Sequence, residues 1–274
     1  MLFKKIIVLL PLTFILLTIT RAQQRIVSLN GTISEMLCAL GVEQQIAGVD
    51  ITSTYPASLQ QKTKVGYHRT MSAEGVLALR PTLVLAIKNE IRPEVLEQLR
   101  SAKVNVQVLQ QAYSTAGTRQ LLQEVAKATG TVEKGKQVLS VFDQQMAGLK
   151  ITPEKKKILF VYARGTGAMT VCGDNSSPAS MIQLAGGTNA ISGFNDFKPL
   201  SPESLVAANP DVIVMLEAGL QSVGGVDGLL KVPGVDATTA GKNKKIVSMD
   251  GQLMTGFGLR LPAAIGELHQ KISQ

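Results

Sequence analysis

The fold is decided by a pattern that occurs twice in the chain, first as Ser72-Ala73-Glu74-Gly75-Val76 with Arg80-Pro81-Thr82-Leu83-Val84-Leu85, then as Pro202-Glu203-Ser204-Leu205 with Asn209-Pro210-Asp211-Val212-Ile213-Val214. In both copies a Glu precedes a Pro by seven residues, and the apolar run after the Pro predicts a buried strand. An internal repeat of this kind indicates a duplicated structural unit. The sequence therefore predicts two similar lobes.

A second, weaker repeat supports the same division. It pairs Met36-Leu37-x-x-Leu40-Gly41 with Met181-Ile182-x-x-Ala185-Gly186, in the same order within each half. Strand-like runs alternate with helix-compatible segments around both repeats. The predicted strands cover 25–29, 46–49, 83–87, 104–109, 158–162, 212–216 and 245–249, and the predicted helices include 32–40, 92–102, 179–184 and 259–272. This alternation predicts parallel sheets with crossover helices, which is an α/β fold.

One long helix is predicted between the two lobes. Apolar residues follow helical spacing through residues 131–150, and Pro153 stands just beyond them. A helix of about 20 residues would span roughly 30 Å and act as a stiff strut. We therefore predict an N-terminal lobe over 23–130, an interlobe helix over 131–150 and a C-terminal lobe over 151–274.

The first 22 residues have the features of a cleaved secretory signal. Lys4 and Lys5 precede an apolar run over 6–19, and small residues stand before Gln23. The run is shorter than the ~20 residues that a membrane-spanning helix needs. No Cys stands at the predicted cleavage point. We therefore expect a periplasmic protein without a lipid anchor.

The composition disfavours several classes of function. Lys and Arg outnumber Asp and Glu by 28 to 20, and loss of Lys4, Lys5 and Arg21 with the signal would leave 25 against 20. With no Trp, four Tyr and seven Phe, the chain lacks the basic and aromatic clusters of nucleic-acid binders. The only two cysteines, Cys38 and Cys172, are expected to be buried free thiols. No nucleotide-binding or nucleophile motif is present, so we do not predict an enzyme.

Six segments carry a family resemblance. They are RIVSLNGTISE at 25–35, VGYHR at 65–69, SAEGV at 72–76, LAGGTNA at 184–190, GGVDGLL at 224–230 and GFGLRLP at 256–262. Together they resemble the periplasmic haemin-binding proteins of bacterial ABC importers, over essentially the whole mature chain. The wider superfamily also includes vitamin B12- and siderophore-binding proteins.

This resemblance implies a fold and a function. The fold is the class III periplasmic binding protein architecture, in which one long rigid helix bridges two lobes. The protein would capture haem in the interlobe cleft and deliver it to an ABC permease dimer with its ATPase, downstream of an outer-membrane haem receptor system. Cobalamin or a ferric siderophore is the alternative ligand, and a secreted enzyme on the same scaffold is a more distant alternative.

Within the resemblance, the Gly-Tyr-x-Arg element is the signal for haem. A phenolate oxygen is a hard donor suited to ferric iron, so Tyr67 is the predicted axial ligand. In an extended chain Arg69 would lie on the same side as Tyr67, where its cation would hydrogen-bond the phenol oxygen. His68 would point the other way and is kept as an alternative ligand. For a second axial ligand, Tyr162, Met254 or no protein group remain open.

Charged side chains complete the predicted sites. Arg69 and Arg164 are candidate cations for the haem propionates. Glu74 and Glu203 occupy equivalent positions in the two repeats, and the resemblance implies that each docks onto Arg residues of a permease subunit. Local physics alone explains both as first-turn glutamates favoured by the helix dipole.

Overall fold

Two separate sheets organise the protein in the computed structural model, which describes residues 24–274. The first sheet is wholly parallel, with strand order β2-β1-β3-β4. Its strands are β1 (Ile26–Ser28), β2 (Ile46–Val49), β3 (Leu83–Ile87) and β4 (Asn105–Leu109), and its lobe contains the helices α1 (Gly31–Ala39), α2 (Ala73–Leu77), α3 (Pro93–Ser101) and α4 (Thr115–Thr129). The predicted α/β class and the four predicted strands are confirmed here.

Both faces of this sheet are buried, which explains the continuous apolar runs of its strands. Ile26 and Leu85 point into one apolar cluster, whereas their neighbours Val27 and Val84 point into another on the opposite face. A parallel sheet covered by helices on both faces has this pattern, because crossover helices lie on each side.

The second sheet is mixed rather than purely parallel. Its main path runs β10-β9-β5-β6-β8, with β7 also paired to β5. The strands of this sheet are β5 (Lys157–Ala163), β6 (Met169–Cys172), β7 (Thr188–Asn189), β8 (Phe197–Pro199), β9 (Val212–Leu216) and β10 (Ile246–Met249). Strands β6 and β8 are antiparallel additions that the sequence patterns did not indicate. All three residues of β8 are exposed, so no apolar run marks this strand.

Eight further helices complete the described chain. The first of them, α5 (Val132–Ala147), connects the lobes. The others are α6 (Ser177–Leu184), α7 (Pro202–Ala208), α8 (Glu217–Ser222), α9 (Gly225–Leu229), α10 (Thr239–Lys242), α11 (Gly251–Thr255) and α12 (Leu261–Ser273). No helix within 24–274 has the length and apolar character required to cross a bilayer. The predicted signal segment lies outside the described residues.

The main sequence repeat corresponds to a structural repeat. Ser72 caps α2 by accepting a hydrogen bond from the backbone N–H of Gly75, and Ser201 caps α7 in the same way through the N–H of Ser204. A short polar side chain at the N-cap satisfies a backbone donor that has no partner inside the helix. The two helices therefore begin by the same mechanism at equivalent places in the two lobes.

The strands that follow these helices also begin alike. The backbone N–H of Arg25 donates to Thr82 Oγ1 at 2.9 Å, and that of Lys157 donates to Asp211 Oδ2 at 2.7 Å. Both acceptors lie one residue after the repeated Pro. Each bond attaches the central strand of a lobe to the strand beside it, so β1 and β3 correspond to β5 and β9.

Helix α5 is shared by the two hydrophobic cores. Val138 and Leu139 pack against the N-terminal core, whereas Phe142 lies in the C-terminal core. The helix has 16 residues and spans about 24 Å, so it is shorter than the predicted 131–150 segment because it ends at Ala147, before Gly148. The preceding helix α4, which the sequence patterns did not single out, packs beside it.

Cys38 and Cys172 are unpaired and lie in different lobes, as expected. Cys172 is fully buried, whereas Cys38 is half-buried. Burial raises the pKa of the Cys38 thiol to about 12 and that of the Cys172 thiol to about 11. Both groups are therefore protonated, unreactive thiols at neutral pH.

Gly135 allows α4 and α5 to pack closely, which generates a prediction about stability. A Cβ at Gly135 would stand 2.8 Å from Ala126 Cβ, whereas one at Gly148 would make only ordinary contacts of 3.5 Å or more. Gly135→Leu should lower the free energy of unfolding by about 1–3 kcal/mol through overpacking, measured by urea denaturation. Gly148→Ala should change it by less than about 0.5 kcal/mol. Equal effects of the two substitutions would contradict this account of the helix contact.

Candidate functional site

Polar side chains gather at the carboxyl edge of the first sheet. Asn30 and Asp50 follow β1 and β2, and Glu90 lies just beyond β3. Ligands of open parallel sheets bind at this edge. His68 lies among these groups, with its Nδ1 3.0 Å from Asp50 Oδ2 and its Nε2 3.9 Å from Glu90 Oε2. Asn30 Nδ2 donates to Glu90 Oε2 at 3.0 Å.

His68 is therefore a buried network residue rather than a surface residue. Its side chain is 8% exposed, and each ring nitrogen faces a carboxylate. Asp50 also accepts hydrogen bonds from the hydroxyls of Thr52 and Ser53. The hydrogen bond between Nδ1 and Asp50 holds the buried His68 inside the lobe, with Nε2 facing Glu90, so we do not retain His68 as an alternative ligand.

Tyr67 is half-buried and lies directly beside this network. Its ring centroid is 4.4 Å from that of His68. The chain turns here instead of running extended, because the Tyr67 carbonyl accepts hydrogen bonds from the backbone N–H groups of Thr70 and Met71. Arg69 is exposed. Within the described residues, no hydrogen bond joins the Arg69 side chain to Tyr67. The expected pairing of the Tyr67 phenol with Arg69 is thus not formed in this structure.

A tyrosine–arginine pair of the expected kind is found in the other lobe. Tyr162 lies near the carboxyl end of β5, and Arg164 follows that strand. Arg164 Nε donates to Tyr162 Oη at 2.7 Å, and the guanidinium carbon lies 5.6 Å from the ring centroid. Tyr162 is half-buried and Arg164 is exposed. The donor geometry predicted for Arg69 and Tyr67 is therefore realised by Arg164 and Tyr162.

Met254, the other candidate ligand of the C-terminal lobe, belongs to the core. It is 0% exposed and lies in α11 within the apolar cluster that contains Phe142 and Phe257. A thioether enclosed in this way is a packing residue. We do not carry Met254 into the proposed site.

Tyr113 is a cleft residue that the sequence analysis missed. It follows β4, is 38% exposed, and places its ring 5.4 Å from that of Phe257 in the other lobe. Burial raises the pKa of Tyr113, with a further rise from the negative charge of Glu90 and a smaller opposing effect from Arg69. Its ring is thus a contact between the lobes, and Tyr113 is not among the proposed iron ligands. Its place four residues after β4 was the available signal.

Glu74 and Glu203 occupy equivalent, fully exposed places. Each lies in the first turn of its helix, α2 or α7. A hydrogen bond from its own backbone N–H lowers the pKa of each carboxyl, and the hydroxyl of Ser72 or Ser201 lowers it further. Both groups are therefore ionised and available at neutral pH.

Comparison with known proteins agrees with this architecture. Residues 26–253 match a family model described as periplasmic binding protein. The chain belongs to the periplasmic binding protein family. The predicted class III architecture is confirmed by the solved structures that it resembles, in which the lobes have the same arrangement.

Three similar proteins place this periplasmic binding protein within the family. The apo structure of the periplasmic heme-binding protein RhuT from Roseiflexus sp. RS-1 is 39% identical, with a TM-score of 0.86 over 91% of this chain and 97% of RhuT. The periplasmic heme-binding protein BhuT in complex with two hemes is 35% identical, with a TM-score of 0.88 over 91% and 98%. The uncharacterized ABC transporter substrate-binding lipoprotein YvrC of Bacillus subtilis (strain 168) is 24% identical over 93% and 82%.

These findings confirm the resemblance to periplasmic haem-binding proteins that the sequence segments indicated. Other curated relatives, 25 or 26% identical to this periplasmic binding protein, are named vitamin B12-binding proteins. These relatives are all named as binding proteins, and their names differ in the ligand: heme, vitamin B12 or, for YvrC, an unspecified substrate.

The capping serines generate a prediction about the two exposed glutamates. Ser72→Ala should raise the pKa of Glu74 towards its ordinary value of 4.5 and leave Glu203 unchanged, and Ser201→Ala should do the reverse. A lowered folded-state pKa contributes stability above the unfolded value, and this contribution is lost as pH falls through the lowered pKa. Carboxyl carbon shifts in an NMR titration would measure both values. A shift of both glutamates in either variant would contradict the local cause.

Proposed function

We propose that this protein captures haem in the interlobe cleft and delivers it to an ABC permease dimer with its ATPase. Tyr67 on the N-terminal wall and Tyr162 on the C-terminal wall are the proposed iron ligands. The proposal is carried by one observation above all, the hydrogen bond from Arg164 to the phenol oxygen of Tyr162.

The chemistry of this pair suits ferric iron. An anionic phenolate is a hard donor, and Tyr is one of the protein groups that hold haem iron. A guanidinium beside the oxygen compensates the negative charge that a tyrosine carries when it coordinates iron. Because Arg remains protonated at every accessible pH, Arg164 can serve this role throughout the physiological range.

Tyr67 is supported as a proposed iron ligand by contacts of a different kind. Its ring lies against His68, which is anchored by Asp50 and Glu90 within the lobe. Exposed Arg69 stands two residues after this tyrosine and supplies a cation at the same wall. Arg69 and Arg164 are thus the proposed partners of the haem propionates, one from each lobe.

A tyrosine on each wall allows two modes of binding. Either both phenolates coordinate the iron of one haem, or each holds one of two stacked haems. BhuT, whose structure contains two hemes, resembles this chain over 91% of its length. Stoichiometry is therefore part of the test.

Cobalamin is the second candidate ligand, favoured by the curated relatives named vitamin B12-binding proteins. Its cobalt carries, besides four corrin nitrogens, an axial nitrogen from its own nucleotide base and an upper axial ligand, so a cobalamin site has no need of a phenolate with a partner guanidinium. A ferric siderophore, whose iron is already fully chelated, has none either. The relatives bear the names of binding proteins, which supports capture and transfer rather than catalysis.

The proposed transport cycle extends to export and docking. The segment over 1–22 is proposed to direct the chain to the periplasm and to be removed, leaving no lipid anchor, and haem would arrive there through an outer-membrane receptor. Glu74 and Glu203 are proposed to dock onto basic residues of the two permease subunits. Equivalent anionic positions on two similar lobes suit a two-fold partner.

The ligand is tested by titrating residues 23–274 with ferric haemin and following the absorption spectrum. The wild type should saturate with tyrosinate-to-iron charge-transfer bands. Tyr67→Phe and Tyr162→Phe should each remove or alter these bands, and Arg164→Gln should weaken affinity about 10- to 100-fold, as loss of a group that supports a metal ligand does. Tyr113→Phe is the matched control and should retain the bands, because Tyr113 is not a proposed ligand and its ring packs against Phe257.

Parallel titrations with cobalamin and a ferric siderophore complete this test. Absence of saturable haemin binding, together with saturable binding of either other ligand, would overturn the haem proposal. Haemin binding with bands unaltered in both Tyr67→Phe and Tyr162→Phe would reject the proposed ligands and keep the proposed function.

Docking is tested in proteoliposomes that contain the cognate permease and ATPase. Glu74→Ala with Glu203→Ala should leave haemin affinity unchanged and reduce the ATPase stimulation by the loaded binding protein, at least severalfold at low salt, where exposed charges are least screened. The control combines Glu94→Ala with Glu217→Ala, which removes an exposed first-turn glutamate from each lobe at other helices, α3 and α8. Equal losses in both double variants would refute specific docking.

A further inference from the structure

The two lobes are joined a second time, through hydrogen bonds that do not involve helix α5. Residues 251–260, which follow β10 in the C-terminal lobe, lie against α1 and α4 of the N-terminal lobe, and we call this contact the interlobe seam. Thr32 Oγ1 donates to the Gly256 carbonyl at 2.6 Å, and Thr118 Oγ1 donates to the Phe257 carbonyl at 2.8 Å. The side chain of Gln111 also donates to the Gly256 carbonyl.

A buried ion pair lies at the C-terminal end of the seam. Glu35 is 5% exposed, and its Oε1 and Oε2 accept hydrogen bonds from the backbone N–H and the Nε of Arg260 at 3.2 and 3.0 Å. The ring centroid of Tyr55 lies 3.8 Å from the guanidinium carbon. Gln252 Nε2 adds a hydrogen bond to the Gly31 carbonyl at 2.9 Å.

Burying this pair has an energetic cost. Burial raises the pKa of Glu35 despite the opposing effect of Arg260, so desolvation outweighs the attraction between the two charges. A buried ion pair is weak evidence for stability, and its best-attested role is to select one geometry among several. Here the geometry that it selects is the relative position of the two lobes.

The backbone of the seam is shaped for close approach. Phe257 has a φ of 48°, which is an uncommon left-handed conformation for a bulky residue. Its side chain is 1% exposed. A Cβ on Gly258 would meet Thr32 Cγ2 at 3.3 Å and the Glu35 carboxylate at 3.5 Å, so glycine lets the seam lie directly on α1.

The seam also separates two spaces. On one side, Phe257 supports Tyr113 at the cleft through the contact between their rings. On the other side lies a cavity of about 970 Å³, lined by Glu35 and Cys38 from one lobe and by Pro262 and Gly266 from the other. Because the cavity keeps the lobes apart at this place, helix α5 and the seam contribute much of what fixes the distance between the lobes.

We propose that the interlobe seam holds the cleft walls at their binding separation, and that Arg260, acting through Glu35, and Thr118, acting through Phe257, are positioning residues for ligand capture. The role of the seam in haem capture rests on the proposed function. Its role in fixing the separation of the lobes does not depend on that function. None of these four side chains belongs to the proposed iron ligands.

The first test measures lobe separation in the protein without ligand. Spin labels are attached through Glu97→Cys on α3 and Ala207→Cys on α7, two exposed helical positions in different lobes. Cys38, which is half-buried and lines the cavity, is replaced by Ser in the labelled protein, whereas Cys172 is fully buried and is left in place. Double electron–electron resonance should give one narrow distance distribution. Arg260→Gln and Thr118→Val should each shift or broaden it.

The second test measures haemin release into excess apomyoglobin. Thr118→Val removes only the hydroxyl that donates to Phe257, and it should raise the dissociation rate about tenfold, the size expected for one lost buried hydrogen bond. Arg260→Gln should do so at least equally. Val84→Ala, in the apolar cluster on the opposite face of the first sheet, which contains no seam residue, controls for general destabilisation. It should lower the melting temperature and leave both the distances and the release rate unchanged.

These outcomes separate the two proposals. If the wild type fails to bind haemin, the proposed function is wrong, and the distance measurement still decides whether the seam fixes the lobes. If the seam variants keep the wild-type distance distribution, or if Val84→Ala accelerates release as much as they do, the positioning role is overturned.

Discussion

Each sheet is covered by apolar side chains over its faces, and this burial determines where polar chemistry can collect. In the first lobe, strand residues such as Val27 and Leu85 are completely buried, so charged groups are found where the strands end. Asp50 and Glu90 therefore gather at the carboxyl edge, and Arg164 stands at the corresponding edge of the second sheet. The cleft that we propose for the ligand lies where these two edges approach each other. Ligands of open parallel sheets bind at this edge because helices cover both faces of the sheet.

The two lobes repeat one another in their outer parts and differ at the cleft. Ser72 and Ser201 cap equivalent helices, and Thr82 and Asp211 accept equivalent backbone hydrogen bonds. At the proposed cleft, by contrast, one wall carries a tyrosine beside a buried histidine network and the other carries a tyrosine bonded to an arginine. A two-fold docking partner would require the outer similarity. A flat, chemically asymmetric ligand held between the two walls does not require the walls to be alike.

Rigidity in this architecture depends on two joints. Helix α5 contributes Val138 to one core and Phe142 to the other, so it cannot tilt without disturbing both. The interlobe seam adds a second connection, in which backbone carbonyls of Gly256 and Phe257 accept bonds from threonines of the N-terminal lobe. Two connections resist rotation of the lobes better than one, because a hinge motion about either connection would strain the contacts of the other. We infer that the protein presents a nearly preformed cleft.

Local patterns in the sequence were sufficient for the α/β class, the parallel strands, the repeated lobes and the family, because buried strands and capped helices depend on residues within a few positions of one another. The extended conformation expected around Tyr67 was wrong. The chain turns there through hydrogen bonds of the Tyr67 carbonyl, and the His68 side chain faces Asp50 and Glu90, which follow two different strands. No pattern around Tyr67 indicated these two partners. Local signals were also absent for the exposed strand β8. Tyr162 and Arg164 were both candidates from the sequence, and the structure shows that they are hydrogen-bonded to each other. The seam joins residues more than 130 positions apart, such as Thr118 and Phe257. Periodicity and spacing carry no information about such pairs, so only the packing of one lobe against the other could decide them.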